Sequence, residues 1–140
     1  MDALNKRLSA GVVVLRDTAE GTRFLLLRAY KHWDFPKGMV EPDETPFAAA
    51  QREVAEETGI DALDFIWGEA FRETAPYARG KVARYYIART AREDVALTPN
   101  PQTGIHEHME YRWVDMKEAL ALVTPRVKHI IDWAAQVTRA

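Results

Sequence analysis

The sequence predicts an α/β (α+β) fold with helices packed on a β-sheet, and three observations carry that reading. Short apolar runs rich in Val, Leu, Phe and Tyr recur at 8–16, 23–30, 62–74, 81–90 and 108–116. One capped segment of helical periodicity lies among them, and two more, near 116–122 and 125–138, follow. Strands on both sides of helical segments suit a layered sandwich rather than a bundle.

The elements follow in order. "LSAGVVVLR" and "RFLLLRAY" read as buried paired strands joined by "DTAEGT", a stretch of turn composition. In "KHWDFPKGMVEPDE" the prolines and glycine predict a loop rather than a regular element, long enough to be a working loop. Thr45 then caps a helix with Pro46 at its first position, where the missing N–H costs nothing, and Gly59 stops it. Phe47, Ala50 and Val54 recur on that helix at i, i+3 and i+7, a narrow stripe suited to lying on a sheet. The runs 62–74, 81–90 and 108–116 are expected as strands, the second centred on Tyr85, Tyr86 and Ile87. In the last helix Val127, Ile130, Ile131 and Ala134 form a stripe that suits core packing or a dimer contact.

No repeat, low-complexity block or linker divides the 140 residues, so one domain over 1–140 is expected. A net charge of −2 argues against a broad basic face for duplex nucleic acid. With no cysteine, disulfides, thiol chemistry and Cys-based zinc sites are excluded. The opening apolar run is far too short for a membrane span and carries no cleavage pattern. A cytoplasmic protein is expected, monomeric or weakly dimeric, with a small-molecule partner and neither membrane nor duplex nucleic acid.

The chemistry concentrates on the first helix. At 100° per residue Glu53, Glu56 and Glu57 fall within about a 100° arc beside the apolar stripe. Crowding like charges at i,i+4 costs about 0.2–0.5 kcal/mol per pair, so a cation is expected opposite them. Hard divalent ions such as Mg²⁺ take oxygen ligands, often one or two carboxylates plus substrate phosphates. Arg52 stands four residues before Glu56, within reach of its carboxylate. The full pattern is G-x5-E-x7-R-E-[apolar]-x-E-E-x-G-[apolar], with Gly38, Glu44, Arg52, Glu53, Val54, Glu56, Glu57, Gly59 and Ile60 at the specified places.

This pattern resembles the signature box of the Nudix hydrolases at every defining position. The resemblance implies an α/β/α sandwich around a mixed sheet, and metal-dependent hydrolysis of a nucleoside diphosphate linked to a further group. It implies Mg²⁺ or Mn²⁺ as cofactor, with Glu53, Glu56 and Glu57 binding the metal or bearing the base. It further implies Arg52 holding a glutamate in place, Gly38 as a backbone contributor to the metal shell, and Glu44 as a stabiliser of the loop and helix. Whether Glu56, Glu57 or a distant residue is the general base stays open.

Outside the box the chain resembles one branch, the asymmetric diadenosine tetraphosphate hydrolases. "HWDFPKG", "YARGKVARYYIA", "EHMEYRW" and "SAGVVVLR" carry that likeness. The branch implies cleavage of diadenosine tetraphosphate to ATP and AMP by water attack at an end phosphate. It marks Glu107 as a late carboxylate, a fourth metal ligand or the base, although Ile105 departs from the serine common two residues earlier. Lys37, Arg79 and Lys81 supply cations for distal phosphates and His32 a further hydrogen bond. Tyr77, and more weakly Tyr86, offer rings for a base to stack on. The alternatives are a Nudix hydrolase of nucleoside triphosphates, of triphosphate-ended RNA or of diphosphoinositol phosphates, and a non-catalytic nucleotide-binding module.

Overall fold

The computed structural model describes residues 7–99 and 103–139. Its strands are β1 (Leu8–Thr18), β2 (Gly21–Ala29), β3 (His32–Asp34), β4 (Lys37–Met39), β5 (Phe71–Glu73), β6 (Val82–Arg89) and β7 (Glu110–Val114). Its helices are α1 (Pro46–Thr58), α2 (Met116–Leu122) and α3 (Pro125–Thr138). The sheet runs β3-β2-β1-β6-β5, with β4 added beside β1 and β7 beside β2. β1 and β6 are parallel from Leu8 opposite Val82 to Leu15 opposite Arg89. The remaining pairings are antiparallel, so the sheet is mixed as expected.

Alternation along the central strands divides the core into two layers. Val13, Leu15, Phe24, Leu26, Tyr85 and Ile87 face α2 and α3, where they meet Val127, Ile130, Ile131 and Ala134. Val12, Val14, Leu25, Leu27, Tyr86 and Ala88 face α1, where they meet Ala49, Ala50 and Val54. The sheet is thereby sandwiched between helices, and each large side chain so buried contributes about 1.5–3 kcal/mol. The α3 stripe is used up in the core, which removes the dimer-contact alternative for those four residues.

Two expectations are corrected. The stretch 31–44 is not all loop, because β3 pairs with the end of β2 and β4 with the start of β1. Backbone polar groups lying against a buried sheet need partners, and even the Pro36 carbonyl accepts from Val12 N at 3.2 Å. The run 62–74 is not one strand. A turn closed by Gly68 N donating to Phe65 O at 2.9 Å, with Gly68 at φ +68°, interrupts it. Only Asp64, bridged to Arg89, and β5, paired with β6, join the sheet. No helix among the described residues is long and apolar enough to cross a membrane.

Candidate active site

α1 is fixed at both ends by the expected local chemistry. Thr45 is extended and its side chain accepts from Ala48 N at 3.1 Å, with Pro46 following. Gly59 adopts φ +76° and its N–H donates to Ala55 O at 2.9 Å. With Ala50 and Val54 buried on the sheet, the glutamates emerge along the margin of the helix nearest β4.

Arg52 organises them. Its guanidinium donates to both Glu44 oxygens, to Glu53 Oε2 at 2.8 Å, to Glu56 Oε1 at 3.3 Å and to the Met39 carbonyl at 3.0 Å. Glu44 also accepts from Glu41 N at 3.1 Å, so it ties the loop to α1, and the Arg52 hydrogen bonds hold its carboxyl below the usual range. One planar cation thus fixes three carboxylates, a task the bidentate fork of arginine suits better than lysine.

Gly38 matters by what it lacks. A β-carbon there would fall on the Glu53 carboxylate. Gly38→Ala is therefore expected to displace Glu53, lowering divalent-ion affinity and turnover by about 10–100-fold at a stability cost of about 1–3 kcal/mol. Steady-state kinetics and denaturant melts check this; full activity with unchanged metal affinity would show that the Glu53 position is not needed.

Glu57 is deeper than its neighbours. Its Oε1 accepts the Lys37 N–H at 3.1 Å. Burial first, then repulsion from Glu53, pushes its carboxyl up to about 9. Glu53 is raised as well, by burial against the pull of Arg52. Two desolvated carboxylates sharing a site resist double ionisation unless positive charge joins them.

These groups open into one cleft of about 510 Å³ lined by Ser9, Lys37, Gly38, Met39, Glu41, Arg52, Glu53, Glu56, Glu57, Tyr77, Lys81 and Glu107. Tyr77 and Lys81 arrive together because each donates its N–H to the other's carbonyl, at 2.9 and 2.7 Å, across a tight turn. Glu107 enters from the segment before β7. The structure thus gathers Lys37, Gly38, Arg52, Glu53, Glu56, Glu57, Tyr77, Lys81 and Glu107. It does not gather the other three. Tyr86 is a correction: it is 3% exposed, on the α1 face, edge-on to Phe47 and Phe71, so no base reaches its ring. Arg79 sits in the turn at φ +68°, outside the cleft lining. His32 lies exposed on β3, also outside it.

Sequence reasoning missed Ser9, Met39 and Glu41, which line the cleft, and Arg126 of α3, which lies outside that lining and stacks on the Tyr77 ring at 3.8 Å. Outside the cleft lining, the Tyr85 hydroxyl donates to Asp34 Oδ1 at 2.8 Å. No local pattern marks either Asp34 or Arg126.

Among the described residues no three carboxylate or imidazole groups are close enough to hold an ion as they stand. Arg52 engages oxygens of Glu53 and Glu56, and Glu57 is turned to a backbone N–H. The donor set still fits Mg²⁺ or Mn²⁺. It is all oxygen, it places Glu53, Glu56, Glu57 and Glu107 along one cleft, and its open side leaves room for water and phosphate oxygens.

Comparison with known proteins agrees with this geometry. The NUDIX domain model matches residues 5–134. The chain is 38% identical over 105 residues to the rat bis(5'-nucleosyl)-tetraphosphatase [asymmetrical], covering 71% of this chain and 68% of that one. To the Caenorhabditis elegans enzyme of the same name it is 35% identical over 121 residues, covering 81% and 83%. An RNA pyrophosphohydrolase of Bartonella henselae is 24% identical over 155 residues, covering 93% and 88%. The crystal structure of a C. elegans Ap4A hydrolase binary complex superposes with a TM-score of 0.80 at 28% identity, covering 95% of this chain and 98% of that one. The chain belongs to the Nudix family and is a pyrophosphohydrolase of that family.

Proposed function

We propose that the protein hydrolyses dinucleoside polyphosphates, cleaving diadenosine tetraphosphate with water to ATP and AMP in a divalent-metal-dependent reaction. The observation that carries this reading is the placement of Lys37, Lys81 and Tyr77 in the same cleft as Glu53, Glu56, Glu57 and Glu107. A polyphosphate longer than the metal can neutralise needs further cations, and a nucleoside at its end needs a ring to lie on. The 35–38% identity to asymmetrical tetraphosphatases supports the same substrate.

Glu53, Glu56, Glu57 and Glu107 would hold the metal, Mg²⁺ or Mn²⁺, which when bound offsets phosphate charge and makes water a better nucleophile. The chain's own residues do the rest. Arg52 keeps Glu53 and Glu56 aimed into the cleft. Lys37 and Lys81, both in the lining of the cleft, draw the phosphate chain along it. A carboxylate of the group, Glu56, Glu57 or Glu107, takes the proton of the attacking water.

Product analysis tests the substrate. With Mg²⁺, diadenosine tetraphosphate is expected to yield ATP plus AMP at a higher kcat/KM than nucleoside triphosphates or triphosphate-ended RNA. The RNA reading has its own support in the relatives named RNA pyrophosphohydrolase. Preferential release of pyrophosphate from triphosphate RNA would replace the dinucleotide assignment and leave the carboxylate site intact. Tyr77→Ala is expected to lower kcat/KM for the dinucleotide by an amount equivalent to about 1–3 kcal/mol, the worth of one base stack. An unchanged kcat/KM would remove Tyr77 from substrate recognition.

A further inference from the structure

Tyr77 walls two spaces. Its other side, away from the carboxylates, faces a recess of about 340 Å³ lined by Arg72, Glu73, Thr74, Ala75, Pro76, Tyr77, Arg126 and His129. The charge balance there is the reverse of the cleft's. Its single carboxylate, Glu73, is already engaged by Arg84 at 2.8 and 2.7 Å. Arg72 and Arg126 have no ion-pair or hydrogen-bond partner among the described residues, and the buried Nε of Arg126 is unpaired. Asp34, which interacts electrostatically with Arg126, already accepts from Tyr85 Oη and Phe35 N, at 2.8 and 2.7 Å.

The two guanidiniums are held by rings instead of acids. Arg126 lies 3.8 Å from the Tyr77 centroid and Arg72 5.8 Å from that of Trp133. A guanidinium stacked on an aromatic ring is fixed in place while the N–H groups at its edge stay available, the arrangement suited to phosphate oxygens. A desolvated N–H left without an acceptor is costly, and an anion in the recess supplies one.

We propose that this recess is a second phosphate-binding site, separate from the carboxylate cleft, which seats a phosphoryl group between Arg72 and Arg126. The phosphoryl group comes either from the far end of a long substrate or from a free anion, and binding of a free anion does not depend on which substrate the cleft cleaves.

The probe is inorganic pyrophosphate, added to the metal-free full-length protein, in which the carboxylates repel it. Amide shifts mapped by NMR are expected at 72–75, 77 and 126–129, with affinity by calorimetry falling at least about tenfold in both Arg72→Ala and Arg126→Ala and unchanged in Lys81→Ala. Because Arg126→Ala also frees the Tyr77 ring, Arg72→Ala, on the exposed strand β5, is the cleaner variant; matching melts establish that it folds. Shifts confined to Lys37, Lys81 and α1, or affinity unchanged in both arginine variants, would overturn the site. Kinetics then distinguish the sources, and either result supports the site. A raised KM for diadenosine tetraphosphate in Arg72→Ala, with kcat held, assigns the substrate's own chain. An unchanged KM beside lost pyrophosphate binding assigns a free anion.

Discussion

Glu57→Gln is expected to lower turnover by about 10²–10⁴-fold, the usual worth of a group that moves a proton at the reacting centre, while leaving the metal-free protein as stable as before near neutral pH. Both halves follow from one environment. Glu57 is buried beside Glu53 and its carboxyl is pushed up to about 9, so without a cation it is largely protonated at pH 7. Glutamine matches that neutral form in shape and keeps an oxygen to accept the Lys37 N–H, which now lies 3.1 Å from Glu57 Oε1. Stability in the absence of metal should therefore change by no more than about 0.5 kcal/mol. The extra stability conferred by Mg²⁺ should shrink, because glutamine cannot supply the negative charge the ion needs. Kinetics and paired melts with and without Mg²⁺ read both effects. Wild-type turnover in the variant would eliminate Glu57 from the chemistry, whereas a large loss of metal-free stability would mean that its negative charge, not its neutral form, holds the fold.

What the sequence revealed and what it concealed divide by range. The helix was legible because its signals are local: Thr45, Pro46 and Gly59 act on their own backbone, and the spacing of Glu53, Glu56 and Glu57 on α1 places them on one margin without any tertiary information. The role of Arg52 was half legible. Its i,i+4 reach to Glu56 is helical geometry, but its bond to the Met39 carbonyl depends on where β4 lies. Tyr86 was misjudged because β6 is covered on both faces, so "YYIA" shows no polar alternation to say that Tyr85 and Tyr86 are both buried, on opposite layers. β3 and β4 were invisible for a different reason: three residues are too few to display a period, and Pro36 between them mimics a loop. Arg126 depended on the long-range packing that lays the first turn of α3 over Tyr77, which no local pattern encodes.

Removal of divalent ions is expected to abolish turnover and, with it, to expose a pH dependence that the loaded protein lacks. The sign is set by Glu57. Its carboxyl titrates near 4.5 when the chain is unfolded and is pushed up to about 9 in the fold. Between those values the native state holds the extra proton, so stability falls as pH rises across that window. Glu53, also raised by burial, adds in the same direction. A divalent ion binds the ionised carboxylates, so its binding within the window releases protons and its apparent affinity rises with pH. Melts in chelator should therefore show the melting temperature declining from about pH 6 to about pH 9, and Mg²⁺ should offset that decline most at the alkaline end. Calorimetry in buffers of different ionisation enthalpy should report proton release on Mg²⁺ binding, reduced in Glu57→Gln. Turnover that survives complete chelation would refute the metal requirement, and a metal-free melting temperature that climbs over the same range would contradict the burial of an uncompensated Glu57, because only a carboxyl stabilised in its charged form behaves that way.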